Sequence, residues 1–255
     1  MLGLAIAYFI TALLYASVGF GGGSTYSALL VLAKTDYHVI PTISLLCNLV
    51  VVTLGSWRFA LAGEVQWRRI WPLFTLSVPL AWVGGRLAVP EIIFVGLLAA
   101  SLLAAGVAML LQRKSLPDTT RRNASWREPL LGGALGLLAG IVGIGGGIFL
   151  APALHLMRWG GAKAIAGTCA VFILVNSVAG LFGQLAKSGA SNLLGVIGTH
   201  WLLFPAVAIG GLAGSMIGSS RLKSRHVAVL TAVLVLYVGG QLALRFAHML
   251  STGAS

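Results

Sequence analysis

The chain has 255 residues, 58% of them hydrophobic and only 9% charged, and its mean hydropathy is +0.97. Soluble domains carry about a quarter charged residues, so a soluble globular protein is excluded and an integral membrane protein is expected. The formal net charge of +12 does not point to nucleic acid, because Lys and Arg fall in the connections between apolar runs and form no basic stripe with interleaved aromatics.

Ten apolar segments follow in chain order, five to each half. The first half gives Leu2–Val18, Ser24–Ala33, Val39–Ala62, Ile70–Ala88 and Ile92–Leu111. No Lys or Arg precedes the first run, which argues against a cleaved signal peptide and for a retained segment. A polar stretch, Gln112–Glu128, then brings Pro117, Asn123 and five basic residues and reads as a linker. The second half gives Pro129–Val142, Ile148–Met157, Ala164–Ala186, Trp201–Ser219 and Val227–Ala247. The organisation expected is a membrane repeat over 1–112, a cytoplasmic basic linker over 113–128, a second membrane repeat over 129–250 and a tail over 251–255.

The halves match each other. "VGFGGG" at Val18–Gly23 corresponds to "VGIGGG" at Val142–Gly147, Gly55 falls near Gly180, and "GRL" at Gly85–Leu87 resembles "SRL" at Ser220–Leu222. An internal duplication of this kind is a hallmark of transporter folds. Charge sets its sense. With a cytoplasmic linker and one crossing per segment, thirteen basic residues are cytoplasmic: Arg58, Arg68, Arg69, Arg113, Lys114, Arg121, Arg122, Arg127, Arg158, Lys163, Arg221, Lys223 and Arg225. Four, Lys34, Arg86, Lys187 and Arg245, are outside. This positive-inside bias predicts both termini outside the cell's inner membrane. The fold class expected is therefore all-α and polytopic, with two inverted repeats of about five helical segments each, including short glycine-broken helix pairs. The segments after the glycines hold about ten residues, which at 1.5 Å each reach about half of a 30 Å hydrocarbon core. The pairs are then either two tilted spans or hairpins that return to one side.

Backbone that leaves the helix at membrane depth is tolerated only where it is buried in protein or lines a cavity. Glycine permits the turn and close approach of another group. The helix that restarts beyond each break presents unpaired N–H groups and the positive end of its dipole, an arrangement that binds anions. Gly21, Gly22 and Gly23, with Gly145, Gly146 and Gly147, are the candidate substrate-binding residues at the two breaks. Ser24 and Thr25 add hydroxyls in the first half; Ile148 stands at the Ser24 position in the second and leaves backbone alone. Gly210, Gly214 and Gly218 read instead as a small-residue packing series.

The two glycine motifs, the short helices after them, the chain length and the basic mid-chain linker resemble the TauE/SafE family of sulfite exporters, also called the 4-toluene sulfonate uptake permease family. The resemblance covers nearly the whole chain. It implies movement of sulfite, sulfonates, sulfoacetate or related small anions, with both export and uptake attributed to the family.

Other polar residues lie within the apolar runs. Asn48, Asn176 and Gln184 are candidate amide donors to an oxyanion, with Thr42, Ser44, Thr53, Thr168 and Ser177 near them in sequence; interhelical hydrogen bonding is the competing role. His155, in the short helix after the second break, is a candidate proton carrier or anion partner. Arg58 and Arg86 read as side chains that snorkel to the interface, with a counter-charge role as the alternative. The acids Asp36, Glu64, Glu91, Asp118 and Glu128 lie away from span centres, so neither a carboxylate proton relay nor an acidic sodium site is expected. Cys47 and Cys169 sit in apolar runs without metal-ligand spacing and read as buried hydrophobes. No cofactor, metal, catalytic residue or nucleic-acid partner is expected. The partners are a small-molecule anion and the lipid bilayer, and a homodimer is left open. The leading function is an exporter of small sulfur-containing anions. A carboxylate transporter remains an alternative, and a membrane enzyme or assembly factor is a lesser one, since no HExxH, GxSxG or pair of catalytic acids is present.

Overall fold

The structure is a computed structural model that describes residues 1–17, 19–111, 126–157, 159–220 and 224–252, without the side chains at 162, 188, 190–193, 217–228 and 230. Most of the linker, the basic residues Arg113, Lys114, Arg121, Arg122, Arg158, Arg221 and Lys223, and the last three residues of the tail lie outside the described residues. So do Asp118, Val18 in the first motif, the surroundings of Gly218 and the side chain of Arg225.

The described residues are all-α. The eleven helices are α1 (Leu2–Ser17), α2 (Gly23–Leu32), α3 (Ile40–Leu61), α4 (Trp67–Arg86), α5 (Glu91–Leu111), α6 (Arg127–Val142), α7 (Gly147–Leu156), α8 (Ala162–Ser188), α9 (Ala190–Thr199), α10 (Leu203–Ser220) and α11 (Ser224–Ser251). Four stretches are long and apolar enough to cross a membrane: Ile40–Leu61, Glu91–Leu111, Lys163–Lys187 and Thr231–Ser251. Each of the ten expected segments is a helix, and α9 is an eleventh that was not expected. Gly195 and Gly198 lower its helix propensity, and it leaves Leu194 73% exposed. The helix expected from Pro129 begins instead at Arg127 and takes in the last two residues assigned to the linker. A proline is tolerated in a first turn, and Glu128 beside it favours the positive end of the dipole.

Close backbone approach organises the interfaces. Along α6, Gly132, Gly136 and Gly140 lie against the backbone of Leu73, Ser77 and Ala81 in α4, so the two helices run parallel with matched four-residue steps. Gly210 and Gly214 of α10 meet Phe9 and Leu13 of α1 in the same parallel sense, which is the packing role expected of that series. Other pairs run antiparallel. Gly96 of α5 faces Phe246 of α11, while Gly106 faces Leu236. In α8, Gly167 lies by Phe59 and Gly180 by Leu45, so α8 descends where α3 rises. Each half thereby lends helices to the other: α4 packs on α6 and α8, and α10 packs on α1 and α3.

These directions fix the shape of the broken pairs. The end of α2 meets Arg245 near the C-terminal end of α11, where Arg245 donates to Val31 O and to Glu91 Oε1, the latter at 2.9 Å. Tyr15, late in α1, meets Ser24 and Thr25 at the start of α2, while Tyr8, earlier in α1, meets Tyr26 further along it. So α1 and α2 form a hairpin whose two outer ends lie at one end of the molecule. The α2 end closes as a Schellman motif: Thr35 N donates to Leu30 O and Lys34 N to Val31 O, both at 3.0 Å, with Lys34 at φ 58 in the left-handed position usually taken by glycine. In the loop that follows, His38 N donates to Asp36 Oδ1, and that bond holds the Asp36 carboxyl below its usual range.

Candidate functional site

Both breaks are built on left-handed glycines. In the first, Gly19 has φ 86 and Gly22, the N-cap of α2, has φ 84; Phe20 N closes the turn on Tyr15 O at 2.9 Å. In the second, Gly143, Gly145 and Gly146 all have φ 77, and Gly146 is the N-cap of α7. No side chain caps either helix. An L-residue with a Cβ is strained at such angles, which explains the glycine runs.

The two breaks lie side by side on one residue, Asn48 of α3. A Cβ at Gly21 would stand 2.5 Å from Asn48 Oδ1, one at Gly23 would stand 2.8 Å from Asn48 Cγ and 2.8 Å from Gly143 O, and one at Gly145 would stand 2.9 Å from Asn48 Nδ2. Asn48 Nδ2 donates to Ile144 O at 3.2 Å, so one fully buried amide from the first half ties down the second break. The tips pass each other rather than meeting end to end. Gly19 reaches Phe59 and Ala166, near the last turns of α3 and the first turns of α8, while Gly143 reaches Pro41 in the first turn of α3. A second tie crosses the same seam, where Ser27 Oγ lies 2.8 Å from Ser44 Oγ and donates to Val142 O at 2.9 Å.

The remaining candidates separate into those near the breaks and those away from them. Ser24 and Thr25 are buried in the first turn of α2, but their hydroxyls turn to Tyr15 of α1, with Thr25 Oγ1 at 2.8 Å and Ser24 Oγ at 3.4 Å from its Oη. Gly147 lies against Ile173, and Ile148 is buried in the apolar core. Ser177 Oγ stands 3.2 Å from the Cβ position of Gly145. Asn176 bonds within its own helix, Nδ2 to Phe172 O at 2.8 Å. Gln184 lies two turns further along α8 and donates to Gly140 O in α6 at 3.3 Å. His155 is half-buried in the last turn of α7, two turns from Gly147. The structure therefore takes His155 away from the breaks and sets Gln184 on the α6 seam. Arg58 donates to Ser215 Oγ and Arg86 lies over the Trp82 ring, so neither guanidinium faces the breaks.

Six polar atoms near the breaks or on α8 are buried without a hydrogen-bond partner among the described residues: Tyr26 Oη, Asn48 Oδ1, Thr168 Oγ1, Asn176 Oδ1, Ser177 Oγ and Gln184 Oε1. The amide oxygens among these can only accept, so a small anion at the breaks would be held by the uncapped N-terminal N–H groups of α2 and α7 and by hydroxyl donors, with no charged side chain among the residues just named. Sequence reasoning did not single out Tyr15, Tyr26 or Ser27. Their only sequence signal is a polar atom within an apolar run, one turn either side of a glycine break.

Residues 4–242 match the family model described as "Sulfite exporter TauE/SafE". The chain is also 36% identical over 243 residues to the probable membrane transporter protein y4hK of Sinorhizobium fredii, covering 93% of this chain and 96% of that protein. No solved structure matches.

Proposed function

The chain belongs to the sulfite exporter TauE/SafE family of membrane transporters, and from that premise we propose that it exports small sulfur-containing anions, such as sulfite, sulfonates or sulfoacetate, held between the N-termini of α2 and α7. The observation that carries this reading is the pair of uncapped helix N-termini whose glycine breaks lie side by side on Asn48. Each N-terminus supplies unpaired amides and the positive end of a dipole. Two of them from different halves give a site that either half can expose by moving against the other.

In this reading the repeats are inverted. Support comes from corresponding helices: α3 corresponds to α8 and α5 to α11, and both pairs run antiparallel. Corresponding spans of opposite direction relate the halves by an axis in the membrane plane. The two hairpins then enter from opposite faces. The orientation with both termini outside follows from the positive-inside count, and the described basic residues sort accordingly. Lys187 lies by Leu87, and Arg245 by Glu91, at one end, while Lys163 lies by Glu64 at the other.

With no carboxylate at the breaks, the driving force proposed is the membrane potential, which favours anion exit by about 2.3 kcal/mol per charge per 100 mV. The test is sulfite or methanesulfonate efflux from proteoliposomes under a potassium-clamped voltage, with no pH or sodium gradient. Efflux should rise as the lumen is made negative. Efflux that ignores voltage would remove the potential-driven mechanism, and absence of flux for every sulfur oxyanion would remove the substrate reading.

A further inference from the structure

The first hairpin holds three fully buried tyrosines, Tyr8, Tyr15 and Tyr26. Two have engaged hydroxyls: Tyr8 Oη donates to Tyr26 O at 3.0 Å, and Tyr15 Oη meets Thr25 and Ser24. The third, Tyr26 Oη, has no hydrogen-bond partner among the described residues. Its ring is fixed by stacking on Tyr8, with centroids 4.6 Å apart and planes 19° from parallel. Helical side chains lean toward the N-terminus, and this lean carries the phenol back one turn to the N-cap of α2. The ring carbon that bears the hydroxyl and Oη itself stand 2.9 and 3.0 Å from where a Cβ of Gly22 would be. The absence of a side chain at Gly22 is what admits the phenol.

A buried hydroxyl without a partner destabilises a fold, and phenylalanine would fill the same space without that cost. The hydroxyl is aimed at the buried, uncapped N-terminus of α2, whose first N–H groups have no side-chain cap. We infer that Tyr26 is the side-chain donor that the first hairpin gives to the bound oxyanion, an assignment that rests on the reading of the breaks as the anion site. Ser24 and Thr25, the hydroxyls nearest in sequence, are already engaged by Tyr15. The second hairpin has no equivalent donor. The shift of 124 that carries Gly23 to Gly147 carries Tyr26 to Leu150, which is fully buried, and the Gly146 Cβ position faces the Phe172 ring. The first hairpin thus offers the anion a phenol and amides, and the second hairpin amides alone.

Tyr26→Phe deletes one oxygen and keeps the ring stack. Binding of sulfite and of methanesulfonate to the purified protein is measured by calorimetry, alongside the thermal midpoint. The Kd should rise roughly tenfold or more, the usual effect of losing a hydrogen bond to a charged group, while the midpoint stays level or rises. Replacing Tyr26 by 3-fluorotyrosine, a more acidic donor, should lower the Kd. Tyr8→Phe, which loses the bond to Tyr26 O, should lower the midpoint with a smaller effect on Kd. A Tyr26→Phe protein with unchanged Kd, or a fluorinated protein that binds no tighter, overturns the inference and leaves the site reading intact. A wild-type protein that binds neither anion overturns both.

Discussion

At the scale of single residues, Asn48 and the glycines around it decide whether the two breaks can coexist. Gly145 is constrained in two ways: its φ of 77 and its neighbours Ile173 Cγ2 at 2.7 Å and Asn48 Nδ2 at 2.9 Å leave no place for a methyl group. Gly145→Ala should therefore destabilise the protein by about 1–3 kcal/mol through backbone strain and overpacking, and should abolish anion flux in the same proteoliposomes. Gly55, in the interior of α3, has nothing within 4 Å of its Cβ position. Gly55→Ala should leave flux unchanged and stabilise by up to ~1 kcal/mol through helix propensity. Equal thermal midpoints and equal flux in the two variants would remove the tight packing assigned to the second break. Asn48 was legible in the sequence because an amide in an apolar run demands a partner. Tyr15 and Tyr26 were not, since a tyrosine among leucines and alanines reads as core until the direction of its hydroxyl is known. His155 shows the limit of proximity in sequence: eight helical residues set it about 12 Å along α7 from the break.

At the scale of elements, the glycines divide into those that break a helix and those that let two helices touch. Periodicity alone separates them. Gly132, Gly136 and Gly140 recur every four residues and make one stripe of α6, whereas Gly145, Gly146 and Gly147 are consecutive and cannot share a face. The stripe sets the α4–α6 distance, because a Cβ at Gly136 would stand 2.7 Å from Ser77 Cα. Gly136→Leu should force the helices apart and cost about 3 kcal/mol or more, read as a fall in the detergent thermal midpoint. Gly240, in α11 with nothing within 4 Å, is the control, and Gly240→Leu should be close to neutral. A level midpoint for Gly136→Leu would mean that backbone contact does not hold α4 to α6. The Gly210 and Gly214 stripe was legible from the same spacing, but the α6 stripe was masked by its closeness to the second motif. The short helix α9 was not legible either: with two glycines in ten residues it is too short for a span, and its amphipathic pattern covers less than three turns.

At the scale of the whole molecule, two lines support the inverted topology proposed above. One is chemical: the seventeen basic residues divide thirteen to four between the faces when every segment crosses in turn. The other is geometric. Alternation of direction along the chain requires α1 and α3 to run one way and α4, α6 and α8 the other, and the parallel pairs α4–α6 and α1–α10, with the antiparallel pairs α3–α8 and α5–α11, all satisfy it. Parallel repeats would instead turn α11 parallel to α5, against the antiparallel packing of Gly96 on Phe246 and Gly106 on Leu236, and would place the basic segment around Arg221 on the outer face. The proposed topology therefore makes a prediction about every connection at once. A phosphatase reporter that folds only outside the inner membrane should be active when fused after Ser251 and inactive when inserted near residue 120, and a fluorescent reporter that folds only inside should show the reverse. Substituting glutamine for Arg58, Arg68 and Arg69 together should weaken this preference, since those residues anchor the α3–α4 connection on the inner face; it should leave the C-terminal half, with its own cluster at Arg221–Arg225, correctly placed. An active phosphatase at residue 120 in the unmodified chain would reverse the orientation of both hairpins, and with it the face from which α1 and α2 enter.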